Sequence, residues 1–198
     1  MISGTGPRPK LARAVSVLIL AVALPSVAEE APWDFARLMA ELAQVQTSRA
    51  RYSEVRRIAA LRQPLALSGN LYYSRPARVE KHQILPFREV IRIDQEQLTV
   101  ERGGKTRTIA LTSAPLIAAL VESLRATLAG DGAELERLFA VRVEGARERW
   151  ALKLTPRDTE VAGIIDRISI SGSASRVSRI EILEPSGDSS VMTIHQQS

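Results

Sequence analysis

Between residues 113 and 128, apolar side chains recur at every third or fourth position, which is the spacing of one face of an α-helix. The predicted apolar stripe consists of Leu116, Ile117, Leu120, Val121, Leu124 and Leu128. Ser113 is the predicted N-cap, Pro115 suits a first turn that needs no N–H, and Gly130 suits a left-handed end. The edge of this helix that is predicted to face solvent, its wet edge, carries Glu122, Ser123, Arg125 and Thr127. Either an ordinary core helix or a helix lying over an apolar cavity accounts for so broad a stripe.

Outside this helix the pattern changes to alternation of apolar and polar residues, which is typical of half-buried β-strands. Residues 65–73 alternate strictly, and Gly69 within them predicts a bulge or a sharp bend. Gly103-Gly104 predicts a tight hairpin turn. The strand positions assigned to the interior are Leu71, Tyr73, Trp150 and Leu152.

About ten short strands can be marked in this way, with helices predicted at residues 33–47 and 131–138. Many short strands predict a barrel or a sandwich, and successive hairpins favour an up-and-down antiparallel sheet. The fold class is therefore mainly β with helices (α+β), and we expect the long helix to lie against a curved sheet.

The first residues have the features of a secretory signal peptide. A basic start precedes the apolar run 14–24, and small residues lead to a predicted cleavage site after Ala28. The run is too short to cross a bilayer, which takes about 20 residues. Residues 1–28 are therefore the predicted signal peptide and residues 29–198 a single exported domain, with an uncleaved anchor as the alternative.

Charge and composition exclude several functions. The chain has 27 basic and 22 acidic residues, and removal of Arg8, Lys10 and Arg13 with the signal peptide lowers the net charge from +5 to +2. So small a charge is poor evidence for nucleic-acid binding. The absence of cysteine excludes disulfides, thiolate metal sites and an acylated N-terminal cysteine.

No constellation of residues predicts catalysis. His82 and His195 have no predicted partner, and no nucleophile elbow, zinc motif or phosphate loop occurs. Glu134 and Glu136 fall on a predicted exposed helix. We therefore predict no catalytic residues, no metal and no cofactor, and the sequence favours binding over catalysis.

The order of the parts resembles the LolA-type periplasmic lipoprotein carriers, and more closely their divergent LolA-like branch. The resemblance rests on residues 38–42 (LMAEL) leading into 48–54 (SRARYSE), 68–76 (SGNLYYSRP), 98–111 with the Gly-Gly hairpin, and 152–157 (LKLTPR) before two closing strands. It implies an incomplete β-barrel, or half-barrel, whose concave face is covered by helices, with acyl chains held between them. It also implies that Arg75 holds the empty, closed state by bonding to a helical lid. The alternative is a hairpin-turn arginine in solvent.

The resulting prediction is a monomeric periplasmic carrier of a lipoprotein or another acylated lipid, with an inner-membrane donor and an outer-membrane acceptor. Its predicted cavity and lid residues are the six of the helical stripe, the four interior strand residues and Arg75. A low aromatic content of 4% leaves a glycolipid or another acyl conjugate open as cargo. A periplasmic sensor or regulatory binding module is the alternative, followed by an acyl hydrolase.

Overall fold

The computed structural model of the chain describes residues 33–76 and 78–196, with residues 115, 116, 119 and 120 described by their backbone alone. The predicted signal peptide lies outside the described residues, so its cleavage after Ala28 stays a prediction. The side chains of Leu116 and Leu120 also lie outside the described part, and nothing further is derived from them.

The described residues form eleven strands and four α-helices. The strands are β1 (Thr47–Arg57), β2 (Leu65–Ser74), β3 (Arg78–Leu85), β4 (Glu89–Asp94), β5 (Gln97–Arg102), β6 (Lys105–Ala110), β7 (Phe139–Ala146), β8 (Arg149–Pro156), β9 (Arg167–Ser173), β10 (Arg176–Leu183) and β11 (Ser189–Gln196). The helices are α1 (Phe35–Leu42), α2 (Pro115–Ala129), α3 (Gly132–Leu138) and α4 (Thr159–Ala162), and a 3-10 turn (Leu111–Ser113) precedes α2.

All eleven strands belong to one open antiparallel sheet, in the order β6-β5-β4-β3-β2-β1-β11-β10-β9-β8-β7. Strands that are adjacent in the sheet are also consecutive in sequence, except for β1 and β11, which pair the first described strand with the last. The predicted antiparallel meander is therefore confirmed, whereas a two-sheet sandwich does not form among the described residues. The edge strands are β6 and β7, and the segment between them contains α2 and α3.

Two glycine predictions are confirmed by the backbone. The β2–β3 register shifts between Ser68 and Gly69, and a Cβ on Gly69 would lie 2.0 Å from the carbonyl oxygen of His82. Gly69 is thus required for close approach of the two strands. Gly103 and Gly104 have φ values of +57° and +74°, the left-handed conformations that tight hairpin turns need.

Helix α2 begins and ends almost as predicted, but its cap and its wet edge differ. Pro115 opens the helix and Gly130 ends it in the left-handed conformation. Ala114, not Ser113, is the N-cap, because the Ser113 hydroxyl donates to the carbonyl of Ala110 at 2.8 Å instead.

Ser123 and Thr127 are buried, so their assignment to the wet edge of α2 was wrong. The Thr127 hydroxyl donates to the Ser123 carbonyl at 2.8 Å and needs no water. The physical reason is that α2 contacts α1, α3 and α4 as well as contributing to the packing of the sheet. A helix packed on several sides has little wet face.

The apolar core is divided into two clusters. The larger cluster joins α1, α3, α4 and strands β7 to β10, and includes Ala126 of α2. The smaller cluster joins β2, β3 and β4 to Val121 of α2. Helix α2 therefore contributes side chains to both clusters, and it connects the packing of the two halves of the sheet.

Candidate functional site

A cavity of about 470 Å³ opens between the central strands and two helices, within the range of about 300–1,000 Å³ that is usual for ligand sites. Its apolar lining consists of Ile58, Ile117, Val161, Ile164, Ile165, Ile180, Ile182 and Met192. Its charged lining consists of Glu54, Arg56, Arg57, Lys81, Glu184 and Asp188. Ser189 and Ser190 complete the described lining.

Strand alternation places the apolar side chains of β10 and β11 in this cavity. Ile180 and Ile182 lie two residues apart, and Met192 is the cross-strand partner of Ile180. Because side chains of one parity share a face of the sheet, these three point to the same side. Ile117 and Ile164, on the helical side of the cavity, are exposed, so part of the apolar lining is open to a ligand.

The wall at β1 contains a buried carboxylate. The Glu54 side chain is only 2% exposed, and it accepts hydrogen bonds from Lys81 Nζ at 2.5 Å, Arg56 Nε at 2.5 Å and Ser190 Oγ at 2.8 Å. Burial of a carboxylate without partners is very unfavourable. The three donors, contributed by β1, β3 and β11, are what allow Glu54 to remain charged beside an apolar cavity.

The charges in this cluster alter one another's protonation. Burial alone would raise the pKa of Glu54, but Lys81 and Arg56 outweigh it, so the pKa lies below its usual value. Burial also lowers the pKa of Lys81, and the attraction of Glu54 only partly offsets it. The Lys81 ammonium lies 4.9 Å from the centroid of the Tyr52 ring, a cation–π distance that adds stabilisation to a buried cation.

Arg75 lies in the turn between β2 and β3 and is bonded to the end of α1. Its Nη1 donates to the carbonyl of Ala43, the C-cap residue of α1. Its backbone N–H donates to the Gln46 carbonyl at 3.0 Å. A cation at a helix C-terminus is favoured by the helix dipole. This side chain is half-buried and connects the turn to the helix.

The other predicted site residues with described side chains are distributed over four places. Trp150 and Leu152 lie in the larger core cluster, and Tyr73, Val121, Leu124 and Leu128 in or against the smaller one. Leu71 is half-buried on β2. Ile117 is the predicted residue whose described side chain lines the 470 Å³ cavity.

Sequence reasoning missed the charged cluster of the cavity. Glu54, Arg56 and Lys81 were not among the predicted site residues, since single charged residues on strands ordinarily face water. The available signal was the alternation itself, because Ala50, Tyr52 and Glu54 share one parity on β1 and all three are buried.

The two histidines lie away from this cavity and have local partners. His82 Nε2 lies 2.6 Å from Glu80 Oε2, and the His82 ring lies 4.8 Å from that of Tyr72. His195 Nε2 lies 3.3 Å from Ser53 Oγ. Within residues 33–76 and 78–196, no group of three His, Asp or Glu residues is arranged to hold a metal ion. None of the helices found there has the length and apolarity needed to cross a membrane.

The family is decided by a sequence match along most of the chain. The model of the family described as outer membrane lipoprotein carrier protein LolA-like matches residues 27–194. The chain belongs to this LolA-like family. The resemblance found in the sequence is thereby confirmed, and the family's description is that of a carrier.

The solved structures to which this LolA-like chain is similar share little sequence with it. A LolA superfamily protein of Nitrosomonas europaea is 10% identical, with a TM-score of 0.41, and 84% of this chain and 94% of that one are covered. The lipoprotein LppX of Mycobacterium tuberculosis is 9% identical, with a TM-score of 0.37 and coverages of 79% and 92%. The Pseudomonas aeruginosa MucA/MucB complex matches at 16% identity and a TM-score of 0.37, with coverages of 81% and 55%. A search of the curated proteins finds no match.

Proposed function

We propose that this LolA-like protein is a periplasmic carrier that binds the acyl chains of a lipoprotein or another lipid-like cargo and delivers it towards the outer membrane. In this proposal an inner-membrane donor loads the cargo, an outer-membrane acceptor receives it, and the protein performs no chemical step. The family description supports a carrier, and the 470 Å³ cavity supports binding of a ligand.

The observation that carries the proposal is the apolar lining of that cavity, with Ile117 and Ile164 exposed beside it. An acyl chain in water is unfavourable by roughly 0.8 kcal/mol for each CH2 group. Aliphatic side chains can offset that cost without specific geometry, because burial of apolar surface is non-directional. A flexible chain is therefore a better match for this lining than a planar, rigid ligand, which would gain more from aromatic faces.

Arg75 has a proposed part in opening the carrier. Its bond to the Ala43 carbonyl ties the β2–β3 turn to α1, and α1 contributes Leu38, Met39 and Leu42 to the larger core cluster. We propose that this bond favours the empty, closed arrangement, and that entry of cargo exchanges it for apolar contacts with the acyl chain.

Displacement of an apolar fluorescent probe by fatty acids and lysophospholipids of increasing chain length tests the carrier proposal. Affinity should rise with each CH2 by a free energy of up to about 0.8 kcal/mol until the cavity is full. Ile164→Asp should weaken binding, because a charge would replace apolar lining. Leu85→Asp is the matched control, since Leu85 is also exposed but does not line the cavity.

Two results would contradict the proposal. One is a well-folded protein that binds no probe, which would make a protein-binding module the better account. The other is an affinity that does not change with chain length, which would point to recognition of the head group alone, as in an enzyme site.

A further inference from the structure

The charged cluster in the cavity has more hydrogen-bond donors than acceptors. Glu54 Oε1 accepts from Arg56 and Ser190, and Oε2 accepts from Lys81, so both carboxylate oxygens are occupied. Lys81 has three N–H donors and Arg56 has five. Within the described part of the chain, the only hydrogen bond from each of these two side chains is the one to Glu54.

The cluster also has an excess of positive charge. Lys81 and Arg56 contribute two positive charges and Glu54 one negative charge, so the three side chains together carry +1 beside the apolar lining. The Arg56 side chain is 44% exposed, which leaves its terminal nitrogens accessible. A local excess of positive charge beside a low-dielectric cavity attracts an anion more strongly than the same charge would in bulk water.

The remaining charged residues of the lining, Arg57, Glu184 and Asp188, together carry −1, so the lining as a whole has no net charge and the positive charge is local to Glu54, Arg56 and Lys81. Glu184 is exposed, so its charge is screened by water and salt. Asp188 Oδ1 already accepts a hydrogen bond from the backbone of Ala59 at 2.8 Å. Arg57, at the end of β1, is exposed as well, so its charge is screened in the same way as that of Glu184.

We propose that the cavity selects a cargo with an anionic head group, a carboxylate or a phosphate, which binds the free donors of Arg56 and Lys81 while its acyl chain lies along Ile180, Ile182 and Met192. This inference rests on the proposed carrier function and adds the chemical class of the cargo. A cationic head beside Glu54 would meet the two cations that already pair with its carboxylate.

The test compares ligands that share a chain and differ in the head. Dodecanoate, dodecyl phosphate, dodecanol and dodecyltrimethylammonium, each below its aggregation concentration, are titrated against a bound apolar probe at neutral pH. The two anionic compounds should bind about tenfold more tightly than dodecanol, the expected size of one charge-assisted hydrogen bond. The cationic compound should bind most weakly.

Variants of the cluster should move this preference in opposite directions. Arg56→Gln lowers the cluster charge to zero and should abolish most of the preference for anions. Lys81 and Ser190 still donate to Glu54 in this variant, and urea denaturation checks that it is folded. Glu54→Gln raises the cluster charge to +2 and should increase the preference. Lys153→Met is the matched control, because Lys153 pairs with Glu144 on β7, away from the cavity.

Three results overturn the inference. Equal affinity for anionic and neutral heads, with affinity still rising with chain length, refutes the head-group selection and leaves the carrier proposal intact. A preference that Arg56→Gln does not reduce places the anion site elsewhere. Absence of binding by every dodecyl compound refutes both proposals. Inorganic phosphate at the same concentration should not displace the probe, because the proposed site needs an acyl chain as well as an anionic head.

Discussion

The two halves of the sheet bury different kinds of side chain. On β8 and β9 the inward positions are apolar throughout: Trp150, Leu152, Leu154, Ile168 and Ile170. On β1 and β3 the inward positions include polar and charged residues: Tyr52, Glu54, Lys81 and Gln83. The first half forms a conventional core with α1 and α3, whereas the second provides the charged wall of the cavity.

Apolar and charged side chains buried in the two halves contribute differently to the stability of the fold. Apolar burial stabilises the fold wherever it occurs, but a buried ion pair gives little net stability, because desolvation of both charges offsets their attraction. The Glu54–Lys81 pair is therefore a poor means of stabilising β1 against β3. The position of the pair on the lining of a ligand-sized cavity fits the proposed role in binding an anionic head group.

The largest expected effect is on the apolar half. Trp150 is 1% exposed, its indole N–H donates to the Ala174 carbonyl at 2.8 Å, and its ring lies against Gly172. Trp150→Ala should lower the free energy of unfolding by about 3–5 kcal/mol, measured by urea denaturation. Leu61→Ala is the control, because Leu61 is largely exposed. A loss no larger than that of the control would contradict the assignment of this half as the main core.

A smaller effect on stability is expected in the charged half. Its size depends on whether one charge of the Glu54–Lys81 pair is removed or both. Glu54→Ala leaves Lys81 buried without its carboxylate and should lower the free energy of unfolding by about 3 kcal/mol. The double variant Glu54→Leu/Lys81→Met removes both charges, so we expect stability close to that of the wild type. A double variant that loses as much stability as Glu54→Ala would show that the pair itself stabilises the fold, whereas additive losses in the cycle would show that Glu54 and Lys81 are not coupled.

The dependence of the free energy of unfolding on pH should change with variants of Glu54 in the charged half of the sheet, and not with variants of the apolar half. The pKa of Glu54 in the folded protein lies below its usual value of 4.5, so below this pH the unfolded chain binds more protons. Stability should therefore fall as the pH is lowered from about 4.5 through the folded pKa. Glu54→Gln should weaken this fall, measured by urea denaturation at several acidic pH values. Trp150→Phe, which changes the apolar half only, should leave the slope unchanged.

The smallest effect on stability is expected from Arg75, which connects the β2–β3 turn to α1. Its replacement should have a larger effect on the release of cargo. Arg75→Leu removes the bond to Ala43 and should cost about 1 kcal/mol, as is common for a single half-buried hydrogen bond. If the bond favours the closed, empty state, this variant should retain cargo and release it more slowly to acceptor vesicles. Arg75→Lys keeps the charge at the end of α1 and is the control. Release at the wild-type rate would contradict the role in opening.

The sequence by itself determined the parts of the structure that depend on short stretches of chain. Alternation predicted the antiparallel meander, and Gly69 predicted the bulge between β2 and β3. Gly130 predicted the end of α2, and the helix predicted at residues 131–138 matches α3, for which Asp131 is the N-cap. These features could be predicted because backbone sterics and capping act between residues close in sequence.

Only the tertiary structure decided which polar residues are buried. Glu54 is hydrogen-bonded to Lys81, 27 residues away in sequence, and to Ser190, 136 residues away. Ser123 and Thr127 are buried because other helices pack against α2. A charged or hydroxylated side chain is tolerated inside a protein when its partners are present. Those partners come from distant strands, and hydrophobic periodicity carries no information about them.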